Sequence, residues 1–190
     1  MLSELGAVNT MLSALGVSPV NSITGQVSSD VAACRAILEE IRSDVMLQGW
    51  DFNTSKAVPL TPGADKRIRL PQATLRMDMS DGESANVDPV QRGDYLFDRR
   101  NQTYTFTQGF KVDVITDLKW EDIPQVARSY IAKRAARVFV QRMDGDDKRI
   151  RTAQIDELSA LATLQQNELD TGDYSIFDNQ TAHLILHRGV

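Results

Sequence analysis

The chain has 190 residues, of which 42% are hydrophobic and 25% charged, with a formal net charge of −5. This length and apolar content suit one compact domain, with or without an attached lobe, and exclude wholesale disorder or a fibre. No apolar run approaches the roughly 18 residues of a membrane span, no signal peptide is evident, and the acidity argues against a general nucleic-acid binder.

Residues 1–49 are predicted to form a helical hairpin. Apolar residues at spacings of three and four predict a first helix that Gly16 ends and a second that the serine pair 28–29 caps. The two apolar stripes are Leu5, Val8, Leu12 and Leu15, then Val31, Cys34, Leu38, Ile41 and Val45. Cys34, the only cysteine, is interpreted as a small buried hydrophobe, which favours a cytosolic origin without disulfides.

Residues 50–118 are predicted to form a small antiparallel β lobe. After Gly49 closes the second helix, Trp50 and Phe52 alternate as in a strand. Further short apolar stretches, separated by Gly, Pro, Asn and Asp, cover 58–60, 68–70, 73–79, 94–97, 104–106 and 110–115. Pro59 and Pro71 lack an amide hydrogen and are expected at strand ends or edges. The span 80–92 has little apolar content and is predicted to be a mobile loop.

Residues 119–170 are predicted to form a second helical hairpin. Asp122 and Pro124 are helix-start residues, and apolar residues from Ile123 to Phe139 recur at spacings of four. The acidic turn 144–147 ends this third helix and begins a fourth. The predicted buried side of the fourth helix is Ile155, Leu158, Leu161, Ala162 and Leu169. The two hairpins would bury their stripes against each other, which gives an α+β fold: a four-helix bundle with an inserted β lobe.

Residues 171–190 are predicted to form an extended C-terminal tail or arm. Its apolar residues, which include Tyr174, Ile176 and Phe177, lack clear helical periodicity. Exposed apolar side chains on such a segment often mark a partner surface, although the tail could equally fold back on its own domain.

The residue types that carry chemistry indicate no catalytic, cofactor or metal site. Both histidines, His183 and His187, lie in the predicted tail without an obvious third ligand. No nucleophile elbow, P-loop or dinucleotide fingerprint is present. Carboxylates cluster near Glu39 and Asp144, but such clusters are common on acidic surfaces and at helix caps. We therefore predict no enzyme activity.

Charge is concentrated in one block. Residues 119–151 carry nine bases and five acids, whereas residues 152–190 carry one base and six acids. One interpretation is a solvated helix face whose bases pair with acids of a neighbouring helix or subunit. The other is a positive ring that faces DNA in transit or an acidic partner.

Five groups of residues, in their order along the chain, are similar to a known family. They are Glu4-Leu5-x-Ala7-Val8-Asn9 with Leu12, Gly16 and Pro19-Val20; Gly49-Trp50-x-Phe52-Asn53; Tyr95-Leu96-Phe97-Asp98-Arg99; Pro124, Tyr130-Ile131, Lys133, Ala135, Arg137, Phe139 and Arg142; and Gly172-Asp173-Tyr174 with Asp178. Their joint order and spacing resemble tail tubular protein A of short-tailed bacteriophages, with the poorest match at 65–89.

The resemblance implies a structural protein of the virion tail, made in the host cytoplasm before assembly. It implies a dodecameric gatekeeper, or adaptor, ring between the portal protein ring and the tail nozzle (tubular protein B). Tail fibres are further partners in this interpretation, and DNA passes through the ring without specific binding. Two other classes stay open: a tail-associated polysaccharide hydrolase and a non-viral helical interaction module.

Within this interpretation, two sets of residues are predicted to contact partners. Arg134, Arg137 and Arg142 are expected to contact acidic residues in the range 152–173 on a neighbouring subunit. Replacement of Arg137 and Arg142 by Glu should therefore block assembly on the portal and leave the monomer folded. The tail residues Tyr174, Ile176 and Phe177 are the second set. The remaining motif residues are expected to be structural: Gly49, Trp50, Phe52, Asn53, Tyr95, Asp98 and Pro124.

Overall fold

The computed structural model describes residues 1–80 and 87–171, within which four helices and five strands form. The helices are α1 (Glu4–Leu15), α2 (Ser29–Met46), α3 (Gln125–Met143) and α4 (Asp147–Thr171). The strands are β1 (Thr54–Leu60), β2 (Thr74–Met79), β3 (Pro89–Arg92), β4 (Tyr95–Asp98) and β5 (Phe110–Thr116). The fold is mixed α and β, as predicted. Within the described ranges, no helix has the length and apolar character needed to cross a membrane.

The first two helices begin and end at residues suited to those positions. The hydroxyl groups of Ser3 and Ser28 accept hydrogen bonds from first-turn amides at 3.1 and 3.4 Å, which satisfies donors that lack helical partners. Gly16, with φ of 82°, ends α1 in the left-handed region. All five predicted stripe residues of α2 are buried, whereas α1 buries only Val8 and Leu12 of its predicted four.

Helix α3 is the centre of the helical part. It packs against α1, α2 and α4, whereas α1 and α4 meet at only a few residues. Its predicted stripe is confirmed, since Ile123, Ala127, Ile131, Ala135 and Phe139 are all buried in one core shared with α1 and α2. Helix α4 adds only Ala160 and Leu164 to this core and lies mainly on α3, so a closed four-helix bundle is not confirmed.

The predicted buried side of α4 is wrong. Ile155, Leu158 and Leu169 are 67%, 56% and 64% exposed, and Ala162 is also exposed. Only Leu161 of the predicted set packs partly against the core. The residues that α4 buries are Ala153, Ala160 and Leu164. Small alanine side chains let α4 approach α3 closely, so the larger side chains stand on the opposite face.

The strands form a second, separate core. Strands β1, β5 and β2 make an antiparallel sheet in that order, and β3 pairs with β4 in an antiparallel hairpin. The buried side chains of this core, from the strands and the connections between them, are Leu60, Ile68, Leu70, Leu96, Phe106, Phe110, Val112 and Val114. Pro59 lies in β1, an edge strand, which is where proline is tolerated in a sheet.

Two local predictions for this region are corrected. Trp50 and Phe52 do not begin a strand, because residues Asp51–Asn53 form a 3-10 turn that leads into β1. Pro89–Arg92 is strand β3 rather than loop, since it pairs with β4 across a tight turn at Gly93, whose φ is 62°. Residues 81–86 of the predicted loop lie outside the described residues. The predicted division into units 1–49, 50–118, 119–170 and 171–190 stays a prediction.

Candidate interaction surfaces

Two arginines of α3 converge on one carboxylate of α4. Arg137 donates to the carboxylate of Glu157, and Nε of Arg134 lies 4.0 Å from the same group. Arg134 also donates to the Tyr130 hydroxyl at 3.1 Å. The Glu157 side chain is only 13% exposed, so water screens this cluster weakly. The cluster fixes α4 on α3 within one chain.

Arg142, near the end of α3, binds α2 instead. Its two terminal nitrogens each lie 2.7 Å from a carboxylate oxygen of Glu40. This hydrogen bonding holds the pKa of the Glu40 carboxyl below its usual range. Both side chains are about half exposed, so the pair is well screened by solvent.

All three predicted interface arginines therefore have acid partners in their own chain. Only Glu157 belongs to the predicted range 152–173, and it lies on the same subunit. Contact of these arginines with a neighbouring subunit stays a prediction. Tyr174, Ile176 and Phe177, the predicted tail contacts, lie outside the described residues.

The motif at residues 49–53 joins the helical part to the β lobe through Asn53. The buried amide nitrogen of Asn53 donates to the carbonyl oxygens of Met46 and Thr116 at 2.9 and 3.0 Å. Its oxygen accepts from the Trp50 amide at 2.8 Å. One side chain thus connects the last turn of α2 with the end of β5.

Gly49 and Trp50 complete this segment, which we call the junction (residues 49–53). Gly49 has φ of 76°, and a Cβ atom there would lie 2.6 Å from Cδ1 of Ile115 on β5. The backbone conformation therefore favours glycine, and a side chain there would also have to displace the end of the Ile115 side chain. The indole nitrogen of Trp50 donates to the Val45 carbonyl at 2.9 Å, and its ring stacks on Phe52.

The motif residue Asp98 orders the turn that follows β4. It is buried and accepts hydrogen bonds from the Asn101 side chain at 2.6 Å and from the Arg100 and Asp88 amides at 2.9 and 3.2 Å. Burial opposes the charged form, but these bonds outweigh it and hold the pKa of Asp98 below its usual range. Tyr95, at the other end of β4, lies with its ring centroid 6.0 Å from the Arg67 guanidinium.

Arg128 departs from both interpretations of the basic block, because it is buried. It donates to the carbonyl oxygens of Ile123 and Glu121 at 2.6 Å each and to that of Leu2 at 3.2 Å. Arg128 therefore ties the start of α3 to residue 2, a role that charge counting does not reveal.

The motif residue Pro124 is the N-cap of α3, where an absent amide hydrogen costs nothing.

A groove separates α1 from α4 above the surface of α3. Its volume is about 910 Å³. The α1 wall consists of short side chains, Gly6, Asn9, Thr10, Ser13 and Ala14, and the remaining lining includes Lys133, Lys148, Arg149, Asp146 and Asp156. Charges of both signs meet at this groove, which gives it no strong preference for an anionic or a cationic ligand.

No group of three His, Cys, Asp or Glu side chains in residues 1–80 and 87–171 is placed to hold a metal ion. In each of the two carboxylate clusters, near Glu39 and near Asp144, one carboxylate pairs with a nearby arginine. Glu39 pairs with Arg42 at 2.6 Å, and Asp144 pairs with Arg149 at 3.3 Å. These contacts serve packing and helix ends.

Cys34 is expected to be unreactive in the folded protein. Burial raises the pKa of its thiol to about 12, and the negative charge of Asp30 adds to the effect. At pH 8 the native protein should therefore resist an aromatic disulfide reagent and react with one equivalent only after denaturation. Labelling of the native chain at the rate of a free cysteine would contradict this placement.

Comparison with known proteins gives one family. A family model described as tail tubular protein matches residues 5–174, which span the helices, the junction and the β lobe. The chain is also 32% identical over 155 residues to tail tubular protein A of Klebsiella phage KP34, an alignment that covers 80% of each chain.

Proposed function

The chain belongs to the tail tubular protein family of phage tail structural proteins, and from this premise we propose that it forms the head-to-tail adaptor, or gatekeeper, ring. In this proposal a dodecameric homo-oligomer joins the portal ring to the tail nozzle and completes the channel through which DNA leaves. The observation that carries the proposal is the extent of the family match, which includes both the helical part and the β lobe.

The mechanism of such a ring is geometric. Each subunit acts as a wedge, and identical heterologous contacts close a ring only if every subunit has the same shape. The junction supports this requirement, because Asn53 forms hydrogen bonds to both α2 and the end of β5 and so limits rotation between the two parts. Arg42 adds a second tie, from α2 to Asp117 beyond β5 at 2.7 Å.

The two parts of the subunit would face different partners. We assign portal contacts and subunit packing to the helical part, and nozzle and tail-fibre contacts to the β lobe. Their separate cores support this division, because each part can present its own surface without disturbing the packing of the other.

DNA would pass this ring without being gripped. Tight binding of phosphates requires a cluster of available Lys and Arg side chains. In the basic block, however, Arg134, Arg137, Arg142 and Arg149 already pair with carboxylates of the same chain, and Arg128 binds carbonyl groups. Five of the nine bases in residues 119–151 are thus engaged within the subunit.

The test is to mix the purified protein with its cognate portal ring and to image the product by electron microscopy. We expect a second ring stacked coaxially on the portal, whose symmetry counts the subunits. The portal ring alone is the control for density that belongs to the portal itself.

Failure to associate, with the protein shown to be folded by circular dichroism, would contradict the adaptor role. The polysaccharide hydrolase would then be tested by release of reducing sugar from host capsule, and the interaction module by a search for other partners. No contact in the described residues favours either alternative over the adaptor.

A further inference from the structure

The β lobe carries an aromatic cluster that belongs to neither of the two cores. Phe97 is only 4% exposed, yet it is part of neither the helical core nor the β core. Its ring meets the Tyr104 ring edge to face, with centroids 4.8 Å apart, and the Arg92 guanidinium lies 3.6 Å from its centroid. The Arg67 guanidinium lies 6.0 and 5.7 Å from the ring centroids of Tyr95 and Tyr104. Two arginine side chains therefore lie on these rings and help to cover them.

Strand pairing places three arginines on the face that these rings occupy. Tyr95 is paired with Arg92 across the β3–β4 hairpin and with Arg69 on its other side. Residues opposite each other in antiparallel pairs, and residues two apart on one strand, point to the same face, so Arg67 and Phe97 join them. Strand spacings place the Cα atom of Arg69 about 10 Å from that of Arg92 and about 7 Å from that of Arg67. We call Arg67, Arg69 and Arg92 the arginine face.

The guanidinium groups of Arg67 and Arg92 have no carboxylate partner in the part of the chain that the structure describes, although both side chains are exposed. The arginines of α3, by contrast, all bind carboxylates or carbonyl groups of their own chain. Arg69 is paired only loosely, because its terminal nitrogen lies 3.6 Å from Asp94 and both side chains are more than half exposed. A guanidinium stacked on a ring keeps its planar donors in a fixed orientation, so it is prepared to bind an incoming anion.

The arginine face keeps a positive excess when the neighbouring acids are counted. Residues 65–69 and 88–100, which form the face and its surroundings, carry six bases and four acids. The excess is local, because residues 57–118 as a whole carry eight bases and nine acids. A long polyanion such as DNA would therefore meet repulsion beyond the face, whereas a ligand with a few carboxylates would not.

The surroundings of the arginine face fit a protein chain that presents carboxylates. One carboxylate accepts two parallel hydrogen bonds from a guanidinium, and Arg and Tyr are enriched among the residues that dominate the energy of protein interfaces. A polar cleft of about 400 Å³ adjoins the face at Arg69, and Gln72, Gln91 and Asp94 are among its lining residues. Neutral amides beside an acid are suited to hydrogen bonds with a protein chain rather than to phosphate binding.

We propose that the arginine face binds an acidic segment of a partner protein in an extended conformation. Alternate side chains of such a segment lie about 7 Å apart on one side, so several carboxylates can reach guanidinium groups spread over about 10 Å. The free donors of Arg67 and Arg92 bind these carboxylates, and the rings beneath hold both guanidinium groups in place. The proposal concerns the charge and geometry of this face alone and does not depend on the adaptor role.

The test is to titrate the full chain with a short peptide of alternating Glu and Thr and to follow the arginine Nε–Hε signals by NMR at low salt. We expect saturable shifts of the Arg67 and Arg92 signals. The double variant Arg67→Gln/Arg92→Gln should bind the peptide at least about tenfold more weakly, because hydrogen bonds between charged groups contribute strongly to affinity. Arg76→Gln removes a base from β2, in the three-stranded sheet, and should leave the affinity within about twofold of wild type.

A second double variant separates recognition by the guanidinium groups from simple charge attraction and from a role in folding. Arg67→Lys/Arg92→Lys keeps both charges and the apolar stems over the rings, but it loses the planar donors. We expect the circular dichroism spectrum of wild type and peptide binding weakened at least about fivefold. Unchanged affinity of this variant would mean charge attraction alone and would overturn the proposal. The absence of saturable shifts at millimolar peptide, or tighter binding of a short DNA duplex to the same arginines, would overturn it as well.

Discussion

Replacement of Arg137 by Glu is expected to destabilise the folded chain by about 2–3 kcal/mol, less than the roughly 3–5 kcal/mol typical of a fully buried ion pair, because Arg137 is 25% exposed and Arg134 still faces Glu157. The Glu157 carboxylate, 13% exposed, would lose its closest cation and gain a like charge in a poorly hydrated site. Equilibrium denaturation followed by tryptophan fluorescence measures this loss. Because Glu157 holds α4 on α3, α4 should also show the largest gain in hydrogen exchange.

Arg142→Glu is the matched control on the same helix. It makes the same change of charge, but Arg142 and Glu40 are about half exposed, so solvent screening leaves little effect on the free energy of unfolding. The sequence alone treats the two substitutions as equivalent and predicts a folded monomer for both. Equal stability losses for the two variants would contradict the packing of Arg137 against Glu157.

Replacement of Asn53 by Asp is expected to destabilise the chain by about 3 kcal/mol at neutral pH. The new carboxylate would have no proton to donate and would face the carbonyl oxygens of Met46 and Thr116, now 2.9 and 3.0 Å from the amide nitrogen. Protonation restores one donor, so the difference from wild type should shrink as the pH falls. Thermal unfolding across an acidic pH series measures both effects.

Asn21→Asp provides the control for Asn53→Asp. Asn21 is exposed in the connection between α1 and α2, so the same chemical change there should shift the midpoint of unfolding only slightly. If Asn53→Asp were as stable as this control, Asn53 would not hold α2 and β5 together.

Much of the helical part could be predicted because its apolar residues follow the helical period. Gly16 and Ser28 also mark helix ends by chemistry that acts locally. The packing face of α4 could not be predicted in the same way. Both its faces satisfy the period, and the one that packs is lined by alanines such as Ala153, which carry a weak hydrophobic signal.

The candidate surfaces were predictable only in part, for a related reason. The sequence shows that residues 119–151 are basic, but it cannot show that Arg128 turns inward to carbonyl groups or that Arg137 meets Glu157 of its own chain. Such contacts depend on the tertiary position of α4 and of residue 2. The residues of the junction could be recognised as a motif, whereas the hydrogen bonds of Asn53 could not be predicted without the position of β5.

The bonds from residue 2 to the start of α3 have a consequence for the order of folding. The Leu2 amide donates to the Gln125 side chain at 2.6 Å, a contact between residues 123 positions apart. Contacts over such separations require closure of a long loop and form slowly, whereas the β3–β4 hairpin needs only local pairing. During synthesis, α1 and α2 leave the ribosome well before α3, so their apolar residues stay exposed to solvent until α3 has been made. We therefore expect the β lobe to fold first and the helical core to form only after α3 has emerged.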